Sequence, residues 1–277
     1  MSVTRAQMPD IARERTDLDA DDIAYLQALL ADWTIMADLA FADLVLWLPT
    51  WNDGGFIAAA QLRPATARTH IPDDLVGHFV PRGRHYELDR AFATSQTCDG
   101  APKAEHSQTR AVPVVRNGAA VAVVGCYRNA PTTGRLETAY ARCAEDLFAM
   151  MAAGRFPRVS NHDQGTGGRG GAPRVGDGLV LLNERGAIEF ASPNARSAFR
   201  RLGVAVDVEG MVLADVVARL NRTRVPIDDT LSLVARGTVQ ATSEIHSNQS
   251  TVTIRSIPLE QTNAPKGTLI QIGRAHV

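Results

Sequence analysis

The residues best suited to chemistry fall in one stretch: His78, His85, Cys98, Asp99 and His106. Imidazole and thiolate form the softer ligand set, so such a group could gather a transition metal or a haem. Their spacing follows neither Cys-x-x-Cys nor His-x-x-x-His, the separations at which a turn or a helix face brings two ligands onto one ion. No metal site is therefore expected, and His78, His85, Cys98 and His106 stand as candidate ligand-binding residues. The competing reading is a polar surface loop with incidental histidines.

Other chemically capable residues read as structure. Cys126 lies on an apolar strand and Cys143 on an apolar helix face, where cysteine behaves as a small core residue. Residues 165–171 are glycine-rich, but no Lys-Ser/Thr follows and no helix begins there, so they are not a phosphate loop. Arg196, Arg200 and Arg201 fit a solvated helix face, and the acidic run Asp17 to Asp22 fits a helix start. No Ser-His-Asp order or paired carboxylate set stands out. The chain is expected to hold no catalytic centre and not to be an enzyme.

The 277 residues exceed one small domain and suit two. With 45% hydrophobic and 21% charged residues, each half can bury a core. The 29 basic and 30 acidic residues leave a net charge of −1, without the basic excess of a nucleic-acid binder. Three cysteines, a charged start with no apolar h-region and apolar runs far shorter than the ~20 residues of a bilayer span predict a reduced, cytoplasmic protein without a membrane segment.

The elements that must position these residues divide at a linker. Ile23, Leu26, Leu30, Trp33, Ala37 and Phe41 recur at helical steps over 19–42, with Asp19 as N-cap. Residues 44–48 and 56–62 predict a hairpin around Asn52 to Gly55, and 110–116 and 119–127 a second around Asn117-Gly118, where both turn positions need positive φ. Between the hairpins, 64–108 is rich in Pro, His, Thr and Asp. A helix over 135–153 closes this first domain at Gly154 and Pro157. The glycine-rich 158–175 is read as a flexible linker. Beyond it come two strands within 178–191, a helix capped by Ser192 with Pro193 in its first turn, two short helices, and strands ending near His246, Leu259 and Ile272. A change of alternation between Ile254 and Ile257 predicts a bulge near Ser256. The fold class expected is α+β: two tandem domains, each a central antiparallel sheet flanked by helices.

The stretch GDGLVLLNERGAIEFASPNARSAFRRLG (176–203), followed by short helices and a three-strand meander, resembles a PAS domain. DWTIMADLAFADLVLWLP (32–49) and GRLETAYARCAEDLFAMMAAGRFP (134–157) resemble the GAF-type N-terminal domain of PdtaS-like sensor histidine kinases. The domains implied are a tail over 1–18, a GAF-like sensor over 19–157, the linker and a PAS domain over 176–271. The resemblance implies the cytoplasmic input region of a kinase that autophosphorylates on histidine and passes the phosphoryl group to a response regulator. It also implies a homodimer, ATP and Mg for the kinase core, and a small cytosolic ligand for the sensor. None of the seven histidines sits in a phosphoacceptor box, and no ATP lid is present. The PAS half has no cysteine for a covalent chromophore, and His246, on a strand, does not suit haem. The first half lacks the Cys-His pair of a bilin site. The alternatives are a ligand-free dimerisation scaffold or a free-standing small-molecule-binding protein. Residues 272–277 match one reading frame of a common sequencing adapter, so they are expected to be non-native, read from a truncated gene.

Overall fold

In the computed structural model, which describes residues 4–101, 107–129, 134–157, 173–220, 229–246, 251–261 and 264–274, the segment expected as a tail carries a helix, α1 (Thr4–Arg15). Met8 and Ala12 are its buried face, and Thr16 Oγ1 donates to Ala12 O to finish it. Asp19 then caps α2 (Ala20–Ala40) reciprocally: its carboxylate accepts from Asp22 N, and Asp22 accepts from Asp19 N. The expected apolar face of α2 is buried, and Phe41 ends the helix in the left-handed region with its ring stacked on Tyr140.

By length and mean hydropathy α2 is the one helix among the described residues able to cross a membrane, a helix longer and more apolar than the runs read from sequence. Yet 67% of that stretch is buried, and it carries Asp32 and Asp38. It serves as a core helix.

Strands β1 (Asp43–Pro49) and β2 (Gly55–Leu62) form the first expected hairpin. Next come β3 (Phe79–Pro81), α3 (Tyr86–Thr94) and β4 (Cys98–Asp99), all too short to announce themselves by periodicity. The second hairpin, β5 (Ser107–Arg116) and β6 (Ala119–Asn129), turns at Asn117 and Gly118, both at positive φ as expected. Arg116 at this turn pairs with Asp22, Asp21 and Asp19, tying the hairpin to the start of α2. Helix α4 (Arg135–Ala152) packs against α2, and Gly154 follows at φ 69°. The antiparallel sheet runs β3-β2-β1-β6-β5-β4. Alternation splits its central strand β1: Leu44, Leu46 and Leu48 share one buried face, Val45 and Trp47 the other. The first unit is Met1–Val159.

The second unit, Ser160–Val277, holds an antiparallel five-stranded sheet in the order β8-β7-β11-β10-β9. Its strands are β7 (Leu179–Leu182), β8 (Ile188–Ala191), β9 (Ala241–His246), β10 (Thr251–Gln261) and β11 (Ala264–Arg274). Ser192 Oγ accepts from both Ala195 N and Leu179 N, so one side chain caps α5 (Pro193–Arg201) and fastens it to β7. Helices α6 (Leu213–Leu220) and α7 (Asp229–Arg236) complete the layer, and Val180, Phe199, Val216, Val234, Ile254 and Ile270 lie in the core between it and the sheet.

Two readings of this unit need correction. The register of β10 against β11 is continuous through Ser256 and shifts only between Leu259 and Glu260. Ile257 and Leu259 change the apparent phase because β10 is buried on both faces there, so apolar residues occupy alternate sides without a bulge. Residues 173–175, assigned to the linker, are packed: Val175 is buried and Pro173 O accepts from Gln271 Nε2 at 2.6 Å. Of the six-residue tail, 272–274 belong to β11, where Ile272 pairs with Ile254; 275–277 lie outside the described residues, as do 158–172 of the linker.

Candidate functional site

The face of the first sheet that carries Val45 and Trp47 holds a separate apolar cluster with Phe56, Ala58, Leu88, Ala91, Ala111, Val123 and Tyr127. Ile71, Leu75, Val80, Phe92 and Cys98 close over it from the segment between the hairpins. Strand alternation puts Trp47, Ala58, Val123 and Ala111 on this face, and α3 contributes Leu88 and Ala91 one helical turn apart.

Polar groups are set inside this apolar surround. Trp47 Nε1 donates to Tyr127 Oη at 3.3 Å, with the two residues 3% and 8% exposed. The hydrogen bond spans Gly125: a Cβ there would stand 2.7 Å from Tyr127 Oη and 3.0 Å from Trp47 Nε1. Burial pushes the Tyr127 phenol well above its ordinary range; the indole donor offsets part of this, and the charge of Glu87 adds to it. The hydroxyl therefore keeps its proton and can donate it. Glu87, in the first turn of α3, is itself buried, and its Oε1 lies 3.2 Å from His85 Nδ1. A buried donor and a buried acceptor thus stand close to one another at an apolar cluster.

Buried polar side chains hold the first part of the covering segment. Asp43 accepts from Thr69 Oγ1, His70 N and Ile71 N. Gln61 accepts from Leu75 N at 2.7 Å and donates to Asp73 O at 2.9 Å, while Asp38 accepts from Ala65 N at 2.6 Å. Each group would be costly to bury unpaired, so each defines where the loop must run.

Of the candidates read from sequence, His85 and Cys98 lie near this cluster. His85 reaches it through Glu87, and Cys98 packs on its rim while pairing with Ala111 across β4 and β5. His78 does not join them: it is exposed, and its backbone O accepts from Ala58 N. His106 lies outside the described residues. Among the described residues, no group of three or more His, Cys, Asp or Glu is placed to hold a metal ion. Cys126 and Cys143 are both buried, as their apolar settings suggested, and burial pushes the Cys126 thiol up to about 12. Trp47, Tyr127 and Glu87 were not singled out by sequence. The signal was there, since Val45 and Trp47 alternate with Leu44, Leu46 and Leu48, which marks a strand covered on both faces.

The chain thus comprises two antiparallel α+β units in tandem, the first with a buried hydrogen bond inside an apolar cluster. The family model for the GAF domain of histidine kinase PdtaS matches residues 8–144. The sensor histidine kinase PdtaS of Mycolicibacterium smegmatis is 32% identical over 263 residues, covering 90% of this chain and 52% of that protein. PdtaS of Mycobacterium tuberculosis is 30% identical over 282 residues, covering 95% and 54%. A solved sensor region of a sensor histidine kinase is 28% identical with a TM-score of 0.80, covering 97% of both chains. The chain is the sensor region, GAF-like then PAS-like, of a PdtaS-like sensor histidine kinase. It spans about half the length of the curated relatives it matches.

Proposed function

We propose that this region detects a small cytosolic molecule at the Trp47–Tyr127 cluster of the first unit and thereby sets the activity of a histidine kinase core, which autophosphorylates with ATP and Mg and passes the phosphoryl group to a response regulator. The observation that carries the reading is the buried Trp47–Tyr127 hydrogen bond inside an otherwise apolar cluster, with the buried Glu87 carboxylate near enough for its charge to raise the Tyr127 phenol. Such groups select a compact, largely apolar molecule that offers a hydrogen-bond donor to Glu87 and an acceptor to Tyr127. The intact protein acts as a cytoplasmic homodimer, without nucleic acid or membrane as partner. A population shift between two packings carries the signal, which requires that the molecule prefer one of them.

The second unit is better suited to relay than to binding. The core between its sheet and helices is formed by apolar side chains such as Phe199, Val216, Val234 and Ile254. This favours a scaffold role for that unit alone. A chimera of this chain with the kinase core of the M. smegmatis relative tests the proposal. Autophosphorylation should respond saturably to a metabolite pool, and the response should vanish with Tyr127→Phe plus Glu87→Gln. A chimera whose activity no metabolite alters would overturn it.

A further inference from the structure

The segment that leads into the second unit is held by the last strand of its sheet. Pro173 and Val175 are buried, and Asp177 closes the turn that follows Pro173. The Asp177 carboxylate accepts from Arg174 N at 2.8 Å, and Asp177 N donates to Arg174 O at 3.0 Å. Asn194 of α5 donates from Nδ2 to Gly176 O at 2.7 Å, which fixes the turn to that helix. The chain then joins the sheet, where Ile272 N donates to Gly178 O at 3.0 Å. A Cβ on Gly178 would stand 2.8 Å from Ile272 O and 2.9 Å from Ala195 N, so only glycine lets the entering chain pass this close to β11 and α5.

Gln271 on β11 makes a further contact ahead of that pairing. Alternation on β11 sends Ile270 and Ile272 into the core shared with the helices and Gln271 to the opposite face. There Gln271 is 2% exposed, and its Nε2 donates to Pro173 O at 2.6 Å. A proline has its carbonyl as its one backbone hydrogen-bonding group, and Gln271 takes it. Gln271 Oε1 is buried with no hydrogen-bond partner among the described residues. A half-satisfied buried amide carries a desolvation cost that a leucine of similar size avoids. What the amide supplies and a leucine cannot is position: it fixes where residue 173 lies against β11.

We propose that Gln271 is a positioning residue that couples the chain entering the second unit to β11. A disturbance at residues 173–175 reaches the strand through the Gln271–Pro173 hydrogen bond rather than through the apolar core. The purpose of this coupling rests on the relay role proposed above for the second unit. The coupling itself is read with no ligand and no kinase core present, so failure of one is distinguishable from failure of the other.

Hydrogen exchange on the full chain tests it as a double-mutant cycle. Val175→Ala deletes buried methyl groups from the entering turn and should speed exchange of the peptide covering 268–274 about tenfold. Gln271→Leu should speed exchange of 173–178, and in that background Val175→Ala should no longer alter 268–274. Thr268→Val is the control: it removes another buried hydrogen bond of the same strand, from Thr268 Oγ1 to Gly237 O, and should leave 173–178 unchanged. Additive effects of Val175→Ala and Gln271→Leu would overturn the proposal. So would an unchanged 268–274 in Val175→Ala, or a response of 173–178 to Thr268→Val as large as to Gln271→Leu. Should Gln271→Leu not fold, Gln271→Met keeps the length without the amide, and the same criteria apply.

Discussion

Gly125 shows how much a single position contributes to the packing around Trp47 and Tyr127. Any side chain there would press on both partners of the Trp47–Tyr127 hydrogen bond. Gly125→Ala should cost about 1–3 kcal/mol, as overpacking does in a close-packed interior, read as a lowered denaturation midpoint with unchanged m-value. The cysteines give a second test at this scale. Cys126 and Cys143 are buried and Cys98 is half-buried, so a thiol reagent should label Cys98 alone in the folded protein. Burial raises the Cys126 thiol from 9.0 to about 12 and the Tyr25 phenol from 10.0 to about 12. Both groups are neutral when protonated. The unfolded chain therefore loses these protons first as pH rises, the folded state retains them, and stability falls above about pH 9. Cys126→Ala should flatten the part of that decline between pH 9 and 10, measured by urea titration at each pH; an unchanged slope there would count against the burial argument. Local chemistry of this kind was partly legible from sequence. Asp19, Ser192 and Asn117-Gly118 were readable because capping and turn residues act on their immediate neighbours. Trp47, Tyr127 and Glu87 were not, because they come from three elements and meet only through strand register.

Elements became legible in proportion to their length. The long helices α2 and α4 and both hairpins follow from periodicity and turn residues. Helix α1 escaped because it is highly charged and carries Pro9, and α3 because two helical turns are too few to show a period. The covering loop depends instead on tertiary pins, with the Asp43 carboxylate accepting from two consecutive backbone amides and a hydroxyl. Asp43→Ala leaves those donors unpaired and should destabilise the first unit by about 2–4 kcal/mol, with loss of exchange protection at His70 and Ile71. Ser192→Ala removes a cap that also binds β7 and should cost about 1 kcal/mol or somewhat more. A variant as stable as the parent would show that the cap bond contributes nothing.

Across the whole molecule, composition and resemblance indicated two sensor domains, and the units Met1–Val159 and Ser160–Val277 each contain their own sheet. Each fragment should therefore fold when expressed alone, giving dispersed amide spectra. Collapse of the first fragment would mean that its core depends on the second. The input role of the chain follows from kinship with PdtaS, whereas the Trp47–Tyr127 hydrogen bond and its apolar surround follow from side-chain geometry that kinship does not specify.

The most direct test of small-molecule sensing in the first unit is a thermal-shift screen run in parallel on the parent chain and on Glu87→Gln plus Tyr127→Phe. The account predicts that at least one compact, largely apolar metabolite raises the parent midpoint saturably, as a ligand of the folded state must, and that the double variant loses that shift while keeping its own cooperative transition. No saturable shift in the parent, or an equal shift in the double variant, would contradict it.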